Sequence, residues 1–224
     1  MRISELSTAS GVTIPTIKFY LRENLLPSGE ATSANQARYD ESHVKRLTLI
    51  RALLEIGGLS VAAARDVIDA VDNADLPLNQ VFGIAQRAIS GSNLSTNSAS
   101  AESRARVASV LTERKWHVTD DNPGLAGAAK VLDRFSALGH PELIDLIDDY
   151  ALAADIVARA DLRVVGKQPN VAAMAETVVA GTVLGDAVFA ALRRIAQEHV
   201  SSEMHPAPHP LSQAPASIPD RRKS

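Results

Sequence analysis

Residues 3–27 read ISELSTASGVTIPTIKFYLRENLLP, and their punctuation decides the fold of the N-terminal quarter. Ser4 can cap a short helix over Glu5 to Ser10 that Gly11 ends. Thr13 can cap a second helix with Pro15 in its first turn, where the missing N–H costs little. The second helix should run to about Asn24, so the stretch reads as a tight helix–turn–helix. On its wheel Ile14, Ile17 and Leu21 share one face, opposed by Thr16, Phe19 and Glu23, with Pro15, Tyr20 and Arg22 on the flanks. Lys18 falls near the buried edge, from which its stem can carry the charge outward.

Outward from this motif, Pro27 to Tyr39 is rich in Ser, Gly, Thr, Asn and Gln, too polar to pack as a helix, and reads as a loop or hairpin. Asp40 caps a third helix that runs through Ile56 to Gly57-Gly58, and Ser60 caps a fourth ending near Asp72. Val44, Leu47, Ile50 and Leu54 recur at helical spacing in the third, as do Ala64, Val67, Ile68 and Val71 in the fourth. These two apolar faces predict a floor under the first pair of helices.

The whole chain has 224 residues, 46% hydrophobic and 22% charged, with a formal net charge of -3. That describes a globular protein of one or two domains, and 12 Gly and 11 Pro are too few for a collagen-like chain. With Cys 0, disulfides, thiolate metal sites, iron–sulfur clusters and cysteine nucleophiles are excluded. The start lacks the apolar core of a signal peptide, and Val178 to Leu192 is interrupted by Asp186 and shorter than the roughly 20 residues of a membrane span. A cytoplasmic protein with no membrane partner is expected. Residues 1–51 carry 7 basic against 5 acidic side chains and residues 73–200 carry 12 against 15, a weak asymmetry.

Beyond residue 72 a helix is expected over Pro77 to Ile89, followed by SGSNLSTNSAS over Ser90 to Ser100, a flexible connection. Residues 73–100 are thus expected to link an N-terminal helix–turn–helix domain at 1–72 to an all-α domain at 101–200. Its helices should cover Ala101 to Trp116, Leu125 to Leu138, Pro141 to Val165 and Val171 to His199. The tail 201–224, with five prolines, should be disordered. The overall class is mainly α, a helix–turn–helix domain with a small β-hairpin and an all-α C-terminal domain.

A second helix that presents a hydroxyl, two aromatics and cations has the chemistry major-groove entry requires: donors for base edges and phosphates, and cations for the backbone. The same pattern also fits an ordinary surface helix. ISELSTASGVTIPTIKFYLRENLLP with ARYDESHVKRLTLIRALLEIGGLS (37–60) resembles the winged-helix domain of the MerR family of bacterial transcriptional regulators, over residues 1 to about 72. The opening I-x-E-L, the T-I-K-F-Y block where the family tends to have T-L-R-Y-Y, the L-L-P and the Tyr-Asp/Ser helix start carry the likeness.

The resemblance implies that Thr13, Pro15 and Thr16 face the groove at the start of the recognition helix. It puts Lys18 in place of the usual Arg, lays Phe19 and Tyr20 along the backbone, and makes Arg22 a phosphate contact. Ser28 to Arg38 would be the wing, and Tyr39 the aromatic at its end. The chain departs from the family in carrying Ala37 where an Arg is common two places before Tyr39; the arginine is Arg38, and a one-residue slip on a strand changes its face. It also implies a two-fold dimer on a palindromic promoter operator, with double-stranded DNA and RNA polymerase as partners, and DNA deformation that realigns or blocks the promoter.

The family's long dimer helix is not evident, since Pro77 to Ile89 is short. Met174, Val178, Gly181, Gly185, Val188, Leu192 and Ile195 form a seam of period 3.5 that fits either packing inside its own domain or a homodimer interface. Trp116, Phe135, Tyr150, Met174 and Phe189 either line an apolar pocket for a small lipophilic effector, as the texture of TetR-type ligand domains suggests, or are simply core. Asp145, Asp148 and Asp149, and the loose set His199, His205 and His209, are weak metal candidates. No cofactor, metal or catalytic residue is expected, and no nucleophile–base pair or nucleotide loop is present. Two competing functions stay open: an effector-independent architectural factor, and a helical protein-interaction module.

Overall fold

The computed structural model describes residues 1–33, 36–90 and 98–205. It forms a compact unit over Met1–Ala187 and a second unit beginning at Val188. In the first, α1 (Ile3–Ser10) and α2 (Ile14–Arg22) make the helix–turn–helix, followed by an antiparallel hairpin of β1 (Glu30–Ser33) and β2 (Gln36–Arg38). Then come α3 (Glu41–Arg51), extended by a π turn over Ala52–Ile56, α4 (Val61–Asp72) and α5 (Leu78–Ser90). An α6 (Ala101–Arg114) and α7 (Pro123–Ala137) hairpin leads through a 3-10 turn at Pro141–Ile144 to α8 (Leu146–Val165) and α9 (Val171–Met204).

The fold is the expected one, mainly helical with a single small hairpin among the described residues. Gly11 sits at φ 68°, the left-handed conformation that lets α1 stop and the chain turn at once into α2. The first helix begins earlier than expected, at Ile3, because the Arg2 N–H is taken by Glu5 Oε2 at 2.6 Å and Ser4 is already helical. Asp40 and Ser60 cap α3 and α4 as anticipated, accepting from Ser42 N at 2.9 Å and Ala63 N at 3.2 Å. Leu47, Ile50 and Leu53 from α3 and its π extension, with Ala64, Val67 and Ile68 from α4, are buried under Leu6 and Ile17.

The same apolar cluster takes in Val81 and Ala85 of α5 and Val165, Ala175, Val178, Val179 and Val183 of α8 and α9. Residues expected to lie in a separate C-terminal domain therefore share a core with the winged helix. The contact between them is close at Gly57, where a Cβ would overlap Val183 Cγ1 and approach the Leu53 carbonyl oxygen to 2.8 Å. A smaller cluster, Ala99, Val107, Ala129 and Leu132, joins α6 to α7.

The expected seam on α9 divides. Val178 is buried and Met174 half-buried against the core, whereas Val188, Leu192 and Ile195, in the second unit, are 57% to 64% exposed. A methyl added at Gly181 or Gly185 would meet nothing within 4 Å, so neither glycine serves a close approach within the described chain. α9 also runs past the expected end at His199 to Met204 and, by length and composition, passes the test for a membrane-crossing helix. Four of its residues, Ala175, Val178, Val179 and Val183, are buried in protein. Most of the connection at 90–100, residues 91–97, and most of the tail, with His209, lie outside the described residues.

Candidate nucleic-acid interface

The second helix is held from both ends. At its start Thr13 Oγ1 accepts from Thr16 N and lies 2.8 Å from Thr16 Oγ1, so the two hydroxyls expected to face the groove are already turned toward each other. At its end Asn24 adopts φ 57°, and the N–H groups of Leu25 and Leu26 fold back to the Tyr20 carbonyl at 2.9 and 3.3 Å. Arg65 of α4 then grips the terminus, its Nε donating to the Glu23 carbonyl at 2.7 Å and Nη2 to the Glu23 carboxylate at 2.6 Å. This cation satisfies a carbonyl at the helix C-terminus, where positive charge is favoured. Nothing in the sequence near Arg65 signals that role, because its partner is 42 residues away.

With α2 fixed, its faces sort cleanly. Ile17 is fully buried, Ile14 and Leu21 are half-buried, and Thr13, Pro15, Lys18 and Arg22 are exposed. Thr16 and Phe19 lie between these extremes. Lys18 therefore projects from the open face and not from the buried edge. Neither Lys18 nor Arg22 makes a hydrogen bond or ion pair among the described residues, which leaves both charges for a ligand.

Tyr20 corrects an expectation. It is 7% exposed and belongs to the core, with Phe19 packed at a ring distance of 5.7 Å, so it cannot lie along a DNA backbone as a free aromatic. Burial raises the Tyr20 hydroxyl above its ordinary pKa, Glu55 adds to the rise and Arg51 opposes it. The helical wheel missed this because Tyr20 stands near Arg51 and Glu55, at the end of α3 and in its π extension, which a wheel of α2 alone does not show.

Tyr39 behaves similarly. It is 8% exposed, its ring stacked edge-on against His43 at 5.1 Å, and its N–H donates to the Met1 carbonyl at 2.8 Å. The N-terminal amine donates in turn to the Tyr39 carbonyl at 2.6 Å. Tyr39 thus pins the base of the wing to the first residue. His43, unremarked in the sequence, is buried and lies 2.8 Å from Asp40 through Nδ1. The Ser42 hydroxyl and His43 hold the Asp40 carboxyl well below the usual carboxylate range.

On the hairpin, Arg38 pairs in register with Glu30, and Ala37 with Ala31. Arg38 is exposed while Ala37 is half-buried against the core. The slip noted in the sequence therefore leaves the arginine on the open side of the wing and a small residue on the packed side. Together Lys18, Arg22 and Arg38 give this end of the molecule three exposed cations, with the Thr13 and Thr16 hydroxyls between helix and solvent.

The expected effector residues do not converge. Phe135 packs in the small α6–α7 cluster, and Met174 packs on the main core. Trp116 is half-buried, its indole N–H donating to Asp155 Oδ1 at 3.3 Å. Tyr150 is 43% exposed, and Phe189, 42% exposed, belongs to the second unit. Trp116 and Phe135 are engaged in their own local surroundings, which residue type alone does not reveal, while Tyr150 and Phe189 stay exposed. Of the acidic triplet, Asp148 is engaged by Arg106 at 2.6 Å.

Comparison with known proteins bears on the helix–turn–helix domain as a whole. The model of the MerR HTH family regulatory proteins matches residues 1–71. The chain is 43% identical over 56 residues to the nodulation protein NolA of Bradyrhizobium elkanii, covering 25% of this chain and 26% of that one. It is 40% identical over 50 residues to the HTH-type transcriptional regulator ZntR homolog of Haemophilus influenzae, covering 22% of this chain and 37% of the other. These matches span about a quarter to somewhat over a third of the relatives' own lengths. A crystal structure from Streptomyces coelicolor A3(2), SCO5550, described as a transcriptional regulator, is similar over 92% of this chain and 98% of its own, with 32% identity and a TM-score of 0.67. With its helix–turn–helix, its wing and a solved relative that matches nearly end to end, this chain belongs to the MerR family of transcriptional regulators.

Proposed function

We propose that the protein is a cytoplasmic, ligand-responsive regulator that binds a palindromic promoter operator as a homodimer and alters the geometry of the DNA beneath RNA polymerase. The observation that carries this reading is the pair of uncommitted cations, Lys18 and Arg22, on a helix locked at both ends by Thr13 and Arg65. A pre-set helix carrying free cations loses little order on entering a major groove. Thr13, Pro15, Thr16 and Phe19 contact bases or sugar beside them, Arg22 and Arg38 contact phosphates, and Tyr20 and Tyr39 act from inside by holding helix and wing in place. The protein is no enzyme in this reading and needs no cofactor.

Dimerisation is assigned to the open part of α9, where Val188, Leu192 and Ile195 are exposed and Gly181 and Gly185 leave room for a second helix. Replacing the three aliphatic residues by serine should convert a dimer to a monomer in sedimentation, and a dimer unchanged by them would place the interface elsewhere.

The test of DNA binding is a gel-shift and footprint on the DNA upstream of the gene at two salt concentrations. Binding should fall steeply with salt and disappear when Lys18 and Arg22 are both alanine. Failure to bind any fragment of a genome-wide library would overturn the reading.

A further inference from the structure

The cores of α6 and α7 leave a groove of about 620 Å³ between them, within the range of small-molecule sites. Its floor is apolar, made by Val107 and Leu111 on one side and Leu125 on the other, with Ala108 and Ala126 exposed to it. The two helices run antiparallel, because Ser100 and Ser103 at the start of α6 bond Asp133 near the end of α7, with hydroxyl distances of 2.6 Å each. The groove's two ends differ in charge: Arg104, which donates to the Ala99 carbonyl, and Lys130 stand at one end, their two charges only partly offset by the hydrogen-bonded Asp133, and Asp120 and Asp121 stand at the other. At the helical rise, the seven residues from Arg104 to Leu111 set these ends roughly 10 Å apart.

The acidic end is wired to the DNA-binding half. Asn122 caps α7 by accepting from Gly124 N at 2.9 Å, and its amide donates to Gln86 Oε1 of α5 at 3.4 Å. Next to it, the Thr119 hydroxyl holds the Asp121 carboxyl below its usual range, with Arg87 of α5 adding to the effect. Helix α5 packs in turn on α4, whose Arg65 holds the recognition helix. A molecule that moved the first turn of α7 would thus press on α5 and, through α4, on α2.

We infer that the α6–α7 groove is the effector site, and that it takes an elongated amphiphile with an apolar, ring-sized body, an anionic group at the Arg104 and Lys130 end and a hydrogen-bond donor at the Asp120 end. The inference rests on the ligand-responsive reading above. It places the effector away from the aromatic residues that the sequence suggested, at a site built mostly of small aliphatic side chains.

The probe for the full-length protein is toluidinonaphthalene sulfonate, which has a sulfonate, an aromatic body and an N–H donor and fluoresces when desolvated. It should bind at one saturable site per chain. Ala108→Trp and Ala126→Trp, each filling the groove from an exposed position, should weaken binding about tenfold or more, a loss of ~1.4 kcal/mol or greater. Lys130→Glu should weaken binding of the sulfonate but not of neutral phenylnaphthylamine. Amide exchange at the first turn of α7 and along α5 should slow with the probe bound. Circular dichroism checks that each variant is folded. Binding that survives both tryptophans, or is lost instead with serine at Val188 and Leu192, overturns the assignment. The regulator reading fails separately: it is scored by salt-dependent DNA binding, which the tryptophan variants should keep, and which alanine at Lys18 and Arg22 should remove without touching the probe.

Discussion

The winged-helix core and the α6–α7 hairpin belong to the same compact unit, yet they are held together by different means. Beneath the recognition helix, Leu6, Ile17, Leu47, Ile50 and Leu53 are essentially inaccessible, and valines from α9 complete the same cluster. The hairpin's own cluster is small, Ala99, Val107, Ala129 and Leu132, with Val110 and Ser103 buried besides, and one end is fastened by three polar contacts to Asp133. A large aliphatic core resists small displacements, whereas few apolar contacts and exposed hydrogen bonds mark elements that open or shift at lower cost. The part that reads DNA is the stiff one, and the part beside the groove is the yielding one.

The contrast can be broken by mutation. Leu47→Ala should cost about 2–5 kcal/mol, at the upper end because its neighbours are closed on all sides, while Leu132→Ala in the hairpin should fall at the lower end. Chemical unfolding of the two variants measures the difference, and equal losses would erase the distinction. Gly57→Ala should destabilise by about 1–3 kcal/mol, since the new methyl must displace Val183 or the Leu53 carbonyl. A larger residue at 57 pushes α9 away from the floor, so this variant should also raise amide exchange along Val178 to Val183. Thr13→Ala removes the cap of α2 and should cost about 1 kcal/mol, with weaker DNA binding at unchanged salt dependence.

The smallest effect is expected at the polar clamp and sharpens the comparison through pH. The Ser100 and Ser103 hydroxyls, with the Ser100 N–H, pull the Asp133 carboxyl down to about 2. Its folded pKa is lower than that of the unfolded chain, near 3.9. The clamp's contribution is therefore complete above about pH 4 and lost as pH falls through about 2. Acid should loosen α6 and α7 within that window by amide exchange, and Asp133→Asn should flatten the dependence there.

Much of the N-terminal part was legible because its signals are local. A glycine at a left-handed turn, caps at Thr13, Asp40 and Ser60, and aliphatic residues at helical spacing each act within a few positions. Lys18, read near the buried edge, is exposed, but the exposure of Arg22 on the flank of α2 follows from the same periodicity. Tyr20 and Tyr39 did not, since an aromatic at a family's contact position is read outward until the packing of α3 and of residue 1 turns it inward. Arg65 escaped because its partner Glu23 lies 42 residues away, while the partners of His43, Asp40 and Tyr39, are sequence neighbours whose pairing went unread. In the second half, residue size suggested a pocket where the structure gives the same aromatics separate surroundings, and the α6–α7 groove, with Val107, Leu111 and Leu125 as its floor, exists only once the two helices pair.

The grip of Arg65 on Glu23 has a consequence for how such a protein diverges. A side chain of α4 fixes the end of α2, through both a carbonyl and a carboxylate. Operator preference can then drift by substitutions at position 65 or 23 that tilt the helix by a fraction of a turn while every groove-facing residue stays the same. Two descendants of this chain with identical recognition helices need not share a binding site.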